Sequence, residues 1–312
     1  MLYALQQAFN GVTVGCSYAL LAMGFTLIMG VVNQINLAHG EILMIGAFCA
    51  TIAFLLLEML GVESLALVLI IALAASIVST AAYGLTLHRL VFRPLTYRHG
   101  FAPLIATIGV AIFLQEFVRL VQTSGNLWIQ PLIRGGFEFT GEGSFSAFLS
   151  YAQIAIILLT AVILGFHWLL VARTKFGRAQ RAAAQDPRMA ALLGLDVRRT
   201  VAVTFAIAGA LAAVAGFAIT VRYGVVNFYM GFLLGLKAFT AAVLGGIGSL
   251  AGAAIGGMAL GLIETAWSAY FPLEYRDVMT FGILIAVLVL LPDGLLGKPV
   301  PEQITGVGAA RR

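Results

Sequence analysis

An all-α integral membrane protein is the fold class this sequence predicts: a polytopic bundle of about 8–10 transmembrane helices with two broken or re-entrant segments. Three observations predict it. Of the 312 residues, 61% are hydrophobic and 10% charged, and the mean hydropathy is +1.02. A water-soluble domain carries about 25% charged residues, so water is not the main solvent here. The apolar residues also fall into runs of about 20, the length that crosses a hydrocarbon core roughly 30 Å thick. Finally, 35 glycines suit helices that associate in lipid by close backbone approach.

In chain order, apolar runs lie at 8–32, 41–58, 64–87, 102–121, 148–171, 200–221, 230–247, 250–271 and 277–292. No basic stretch precedes the first run, so Leu2 to Val31 reads as an uncleaved membrane segment rather than a signal peptide. The lipoprotein-like Thr13-Val14-Gly15-Cys16 is set aside on the same ground. Asn33-Gln34-Ile35-Asn36 interrupts the first pair of runs, and Gly245-Gly246-Ile247-Gly248-Ser249 interrupts the seventh and eighth. Non-helical backbone at such depth must be buried in protein or line a water-filled cavity. Leu37-Ala38-His39-Gly40 leads into a run with Gly46-Ala47, and Leu250-Ala251-Gly252 leads into one with Gly256-Gly257. Corresponding breaks in two halves mark a transporter built from an internal repeat. Residues 1–312 read as a single transmembrane domain with a hydrophilic loop at 172–199 and a short tail at 293–312.

Lys and Arg orient the runs. The stretch 88–100 holds Arg89, Arg93 and Arg98. The loop 172–199 holds Arg173, Lys175, Arg178, Arg181, Arg188, Arg198 and Arg199, and the tail adds Lys298, Arg311 and Arg312. These regions contain 13 of the 18 basic residues. By the positive-inside rule they face the cytoplasm, and with them the C-terminus. The loop 122–147, with Glu138 and Glu142, then faces outside, and nine crossings put the N-terminus outside as well. With the net charge of +5 placed this way, no nucleic-acid partner is expected. Cys16 and Cys49 both lie inside apolar runs, which argues against a disulfide framework.

The loop carries the most information. Asp186 before Pro187 is an N-cap followed by proline at the first helical position. Met189, Leu192, Leu193 and Leu195 supply an apolar side, and Gly194 suits the C-cap. The result is a short amphipathic helix across the cytoplasmic face. Taken from the residues, it either anchors to anionic lipid through its arginines or docks a protein.

The sequence resembles a known family at three places. These are Asn36-Leu37-Ala38-His39-Gly40-Glu41 with Gly46-Ala47, the loop from Arg181 to Leu195, and the turn Gly245-Gly246-Ile247-Gly248-Ser249. Together they resemble the LivH-type permease, the inner-membrane subunit of bacterial branched-chain amino acid ATP-binding-cassette importers, over roughly 5–296. The resemblance implies a multi-pass protein of the bacterial inner membrane that pairs with a second, LivM-like permease subunit. It implies two cytoplasmic ATPase subunits and a periplasmic substrate-binding protein. Arg181, Asp186, Pro187, Arg188, Met189, Leu192, Leu193 and Gly194 would then form the coupling helix seated in an ATPase cleft. Arg222, Glu274, Arg276 and Asp277, at predicted outer ends, would meet the binding protein or else be solvated flanks. No Gly-x-x-x-x-Gly-Lys-Ser/Thr phosphate loop occurs, so this chain is expected to bind no cofactor, with ATP and magnesium held by the partner subunits.

Polar groups inside the apolar runs are the candidates for a translocation path, because burying them in lipid is costly. Asn33, Asn36, His39 and Glu41 cluster at the first break, where Asn36 and His39 either cap the broken backbone or line the path. Gly245, Gly246 and Gly248 form the second break. Lys237, the one basic residue of the seventh run, has three options: snorkelling to an interface, pairing with Glu264, or lining the path. Glu116 and Arg119, three residues apart, should neutralise one another. His88, His99 and His167 lack metal-ligand spacing, no metal site is expected, and no catalytic constellation is present, so an enzyme is not expected. An importer subunit for amino acids is the main reading. The alternatives are a stand-alone channel or ion-coupled carrier for a small neutral solute, or an importer permease for urea or amides.

Overall fold

The computed structural model describes residues 2–95, 101–122, 125–140, 146–291 and 293–297. Arg98, His99, Glu142, Lys298, Arg311, Arg312 and most of the tail 293–312 lie outside them. Each of the nine apolar runs forms a helix. They are α1 (Leu2–Val32), α2 (His39–Met59), α3 (Leu65–Leu87), α5 (Ala102–Val121), α6 (Tyr151–Arg173), α9 (Val197–Tyr223), α10 (Met230–Gly245), α11 (Leu250–Tyr270) and α12 (Arg276–Leu290). The helix α3 continues through a π-helical stretch, His88–Phe92, into a short α4 (Arg93–Leu95). Between α6 and α9 lie α7 (Lys175–Gln185) and α8 (Pro187–Leu192). Among the described residues, seven helices are long and apolar enough to cross a membrane, counting α3 as Leu65–Leu95. The other two of the nine are shorter: α10 has 16 residues and α12 has 15.

The first run is longer than its hydropathy indicates, because the amphipathic stretch Leu2–Gln7 continues the same helix. α1 is buried almost continuously from Gly11 to Ile28 and forms the axis of the bundle with α9. This helix is apolar on every side, as a buried helix should be. Its tightest contact is with α11 and runs through glycines. A Cβ added at Gly257 would collide with the backbone of Ala19, and one at Gly261 with the backbone of Gly15. Small residues let two backbones touch, and the gain is dispersion over a long contact. Gly257→Val is therefore expected to force α1 and α11 apart and to lower the melting temperature of the detergent-solubilised protein clearly, where the outward-facing Gly109→Val, with open space around it, does not. Equal melting of the two variants would overturn the packing argument.

α2 packs between α3, α9 and α10, while α3, α5 and α6 turn Ile70, Val78, Phe113, Leu158, Val162 and Phe166 outward. An apolar, exposed face of this kind is what a helix presents to acyl chains. On α5 the Arg119 guanidinium lies 2.5 Å from the Glu116 carboxylate, the expected neutralising pair.

Two short antiparallel ribbons interrupt the all-helical pattern at one end of the bundle. β1 (Leu127–Trp128) pairs with β4 (Val225–Val226), and β2 (Gly136–Phe139) with β3 (Ala147–Ser150). The fifth run thus enters as a strand and becomes helical only at Tyr151. Ser150 sets that boundary: its hydroxyl accepts from the Gln153 N–H while the Gln153 side chain accepts from the Ser150 N–H. This capping box fixes extended backbone just before the helix. The same end holds the segments 224–229 and 271–275. The opposite end brings together the bottom of α1, the α6–α7 junction, the turn 246–249 and the segment 293–297.

Candidate translocation path and docking surface

The first break begins at Asn33, whose φ of +53° is left-handed and ends α1. Asn tolerates this conformation better than other side-chain-bearing residues. The chain then runs without regular structure until α2 starts at His39. Asn36, His39 and Glu41 are all buried, at 1%, 0% and 1% exposure. Their side chains do not cap the broken backbone, which corrects one of the two readings above. The Asn36 backbone carbonyl accepts from the His39 N–H at 3.1 Å. The polar side-chain atoms of Asn36, His39 and Glu41, by contrast, have no hydrogen-bond partner among the described residues. The His39 ring meets Phe25 edge-on, with centroids 4.9 Å apart. Glu41, in the first turn of α2, faces Gly231, where a Cβ would come within 2.5 Å of its Oε2. Glycine at Gly231 leaves room for this carboxylate beside the start of α10.

The second break has a different construction. Gly246 (φ +104°) and Gly248 (φ +86°) adopt conformations that only glycine takes readily. The Ser249 hydroxyl caps α11 by accepting from the Gly252 N–H at 3.1 Å. The carbonyls of Leu244 and Gly245 accept from Leu295 and Leu296 N–H at 2.9 and 3.0 Å. The post-α12 segment thus satisfies carbonyls that the end of α10 leaves open. This turn borders a cavity of about 530 Å³ lined by Gly30, Trp168, Gln180, Arg181 and Leu250 among others.

At the other end a larger cavity, about 680 Å³, opens between α1, α9, α10, α11 and α12. Lys237 is part of its wall. Its ammonium is 2.7 Å from Glu264 Oε1 and 2.7 Å from Asp277 Oδ1. Of the three options for Lys237, the pairing with Glu264 is therefore realised, and in the cavity wall. Glu264 Oε2 also accepts from the Tyr18 hydroxyl at 2.8 Å, and Arg276 Nε lies 3.2 Å from Oε1. Lys237 and Glu264 are nearly inaccessible, with side-chain exposures of 5% and 6%, whereas Arg276 and Asp277 are at 40% and 41%. Arg222 lines the same cavity and donates to Asn10 Oδ1 at 3.2 Å. Arg222, Arg276 and Asp277 thus turn toward one cavity with Lys237. Glu274 stays exposed in the turn Leu273–Tyr275. Tyr18 and Asn10 escaped the sequence reading, because α1 is apolar on all sides and no periodicity shows which way its few polar residues face.

The stretch 186–195 folds as its residues predict, whereas Lys175–Gln185 forms a further helix, α7, that the sequence reading did not place. The Asp186 carboxylate accepts from the N–H groups of Arg188 (2.8 Å) and Met189 (2.9 Å), and Pro187 opens α8. Gly194 has φ +83°, and the Leu195 N–H returns to the Ala190 carbonyl at 3.1 Å, a left-handed stop of the Schellman kind. Ala190 faces the protein, whereas Met189, Leu192 and Leu193 are 54%, 81% and 77% exposed. Arg188 is exposed with them. Arg181 behaves differently: its guanidinium donates to the Val171 carbonyl and ties α7 to the end of α6.

Comparison with known proteins fits these features. The family model for the branched-chain amino acid transport system permease component matches residues 7–288. The chain belongs to this permease family. It is 46% identical to the high-affinity branched-chain amino acid transport system permease protein BraD of Pseudomonas aeruginosa, covering 96% of this chain and 98% of that one. It is 42% identical to LivH of Escherichia coli, with 97% and 98% covered. A more distant relative is the ribose import permease protein RbsC of Bacillus subtilis, 29% identical over 61% of this chain. No solved structure matches. In this permease the predicted residues occupy three separate places. Asn33, Asn36, His39 and Glu41 belong to the first break. Lys237, Arg222, Arg276 and Asp277 belong to the larger cavity. At the opposite end Gly248 and Arg181 line the smaller cavity, and Gly245 and Gly246 meet the segment 293–297.

Proposed function

We propose that this permease is the membrane subunit of an ATP-driven importer for branched-chain amino acids. In this reading α8 is the coupling helix. The observation that carries it is the exposed apolar tip Met189, Leu192 and Leu193 on a helix capped at both ends. Three aliphatic side chains held rigidly in water cost free energy unless something covers them, and a cleft in a cytoplasmic ATPase subunit supplies that cover. The basic residues at this end support a cytoplasmic position for it, with the larger cavity and the β-ribbons outside. ATP and magnesium then sit on the partner subunits, since no phosphate loop is present here.

The remaining parts follow from this arrangement. A binding protein delivers solute to the outer cavity, and a second permease subunit completes the pore. ATP-driven closure of the ATPases moves α8 and, through the Arg181–Val171 tie, the ends of α6 and α7. The substrate class rests on the branched-chain amino acid transport for which BraD and LivH are named, at 46% and 42% identity. A stand-alone carrier leaves the capped, exposed α8 without a role. When the complex is reconstituted in liposomes, leucine uptake is expected only with ATP inside and binding protein outside. Uptake by this chain alone would overturn the proposal.

A further inference from the structure

We infer that the outer cavity of about 680 Å³ is a low-affinity site for the zwitterionic head of an α-amino acid, with Arg222 taking the carboxylate and Asp277 the ammonium. This rests on the importer reading and adds to it a location and a mode of recognition within the permease itself.

Four observations converge. The volume is in the range of small-ligand sites, which run from about 300 to 1,000 Å³. The wall carries both signs of charge: Arg222, Lys237 and Arg276 against Glu264 and Asp277. A site for an anion or a cation needs only one sign, and a site for a neutral amide needs neither.

Next, the charged groups are not equally committed. Glu264 is saturated, because Oε1 faces Lys237 and Arg276 while Oε2 accepts from Tyr18. It anchors the network and is closed to a ligand. Asp277 is the acid left partly open, touching Lys237 through Oδ1 at 2.7 Å with its side chain 41% exposed to the cavity mouth. Arg222 is the base of this wall that no carboxylate pairs among the described residues. Its Nη2 donates to Asn10, but its Nη1 is buried without a partner among the described residues. Its guanidinium is also held against the Tyr223 ring, 5.2 Å from the centroid. A buried, unpaired N–H on a cation is costly, and the planar guanidinium fork matches a carboxylate.

Finally, the rest of the lining mixes polar and apolar side chains. Within it Val14, Ile219, Leu233 and Leu234 offer a surface for an apolar side chain beside the charged groups. Removing that side chain from water is favourable, so an aliphatic amino acid gains from contact with this part of the wall. Lys237 has the role of balancing Asp277 and Glu264 while the site is empty.

The test uses the permease complex with its ATPase subunits in nanodiscs, without binding protein, and radiolabelled leucine as the probe. Saturable leucine binding is expected. 4-Methylpentanoate, which is leucine without the ammonium, and isopentylamine, which is leucine without the carboxylate, should compete at least about ten-fold more weakly than leucine, because each leaves one charge-assisted contact unmade. Arg222→Gln should weaken leucine binding at least about ten-fold and abolish the residual competition by 4-methylpentanoate, while leaving that by isopentylamine. Asp277→Asn should show the reverse pattern. Arg222→Lys, which keeps the charge but not the fork, should fall between wild type and Arg222→Gln, and monodisperse elution of each complex identifies a variant that fails to assemble. No saturable binding, or leucine binding unchanged in Arg222→Gln and Asp277→Asn, overturns the site. ATP- and binding-protein-dependent uptake by the same wild-type complex reads the importer function separately, so failure of the site is distinguishable from failure of that reading.

Discussion

Lys237→Met is expected to cost about 3–5 kcal/mol of stability, the penalty for leaving a buried partner charge uncompensated. The methionine matches the length of the lysine stem but carries no charge. Glu264, at 6% side-chain exposure, would keep only Arg276 Nε at 3.2 Å and the Tyr18 hydroxyl. Asp277 would lose the ammonium 2.7 Å from its Oδ1. Three elements meet at this point, α10 through Lys237, α11 through Glu264 and α12 through Asp277, so the loss loosens their mutual packing. The double variant Lys237→Met with Glu264→Leu should regain part of the loss, since a buried ion pair replaced by apolar side chains is often close to neutral. Thermal melting of the detergent-solubilised protein checks both. A single variant that melts with wild type, or a double variant worse than the single, would contradict the buried-pair account.

The second large effect concerns transport. Asp186→Lys and Gly194→Val should each lower leucine uptake by the reconstituted complex at least about ten-fold while the chain still inserts. Asp186→Lys removes an acceptor used by two backbone N–H groups and puts a positive charge at the positive end of the helix dipole. Gly194→Val forces a β-branched residue into φ +83°, a conformation that costs L-residues roughly 1–2 kcal/mol. Neither change touches the bundle, because both positions are exposed. What each disturbs is the rigid presentation of Met189, Leu192 and Leu193. About 1.4 kcal/mol of lost docking free energy already corresponds to a ten-fold effect. Co-purification of the ATPase subunits separates lost docking from lost motion, and wild-type uptake in both variants would overturn the coupling role.

Legibility varied by element, for physical reasons. The part of the loop at 186–195 was readable in detail because its order is local: a cap, a proline and a left-handed glycine act within a few residues of themselves, whereas the preceding α7 was not read. The nine apolar runs were readable because their lengths and composition answer to lipid rather than to neighbours. Boundaries failed where side-chain chemistry outweighed hydropathy. Ser150 and Gln153 delay α6 to Tyr151, three residues into the apolar run that begins at 148.

By itself the sequence determined the solvent, the number of apolar segments, the positions of the two breaks and the cap chemistry of α8, since all of these are encoded over short stretches. Only the tertiary structure decided what the isolated polar residues do. It left Asn36, His39 and Glu41 buried without side-chain hydrogen-bond partners among the described residues, where capping by Asn36 and His39 was one of two readings. It also brought Tyr18, Arg222, Lys237, Glu264, Arg276 and Asp277 from five helices to the wall of one cavity. Contacts between residues up to some 260 positions apart depend on how helices pack, and in this bundle that packing is set by glycines whose mutual approach no local pattern announces.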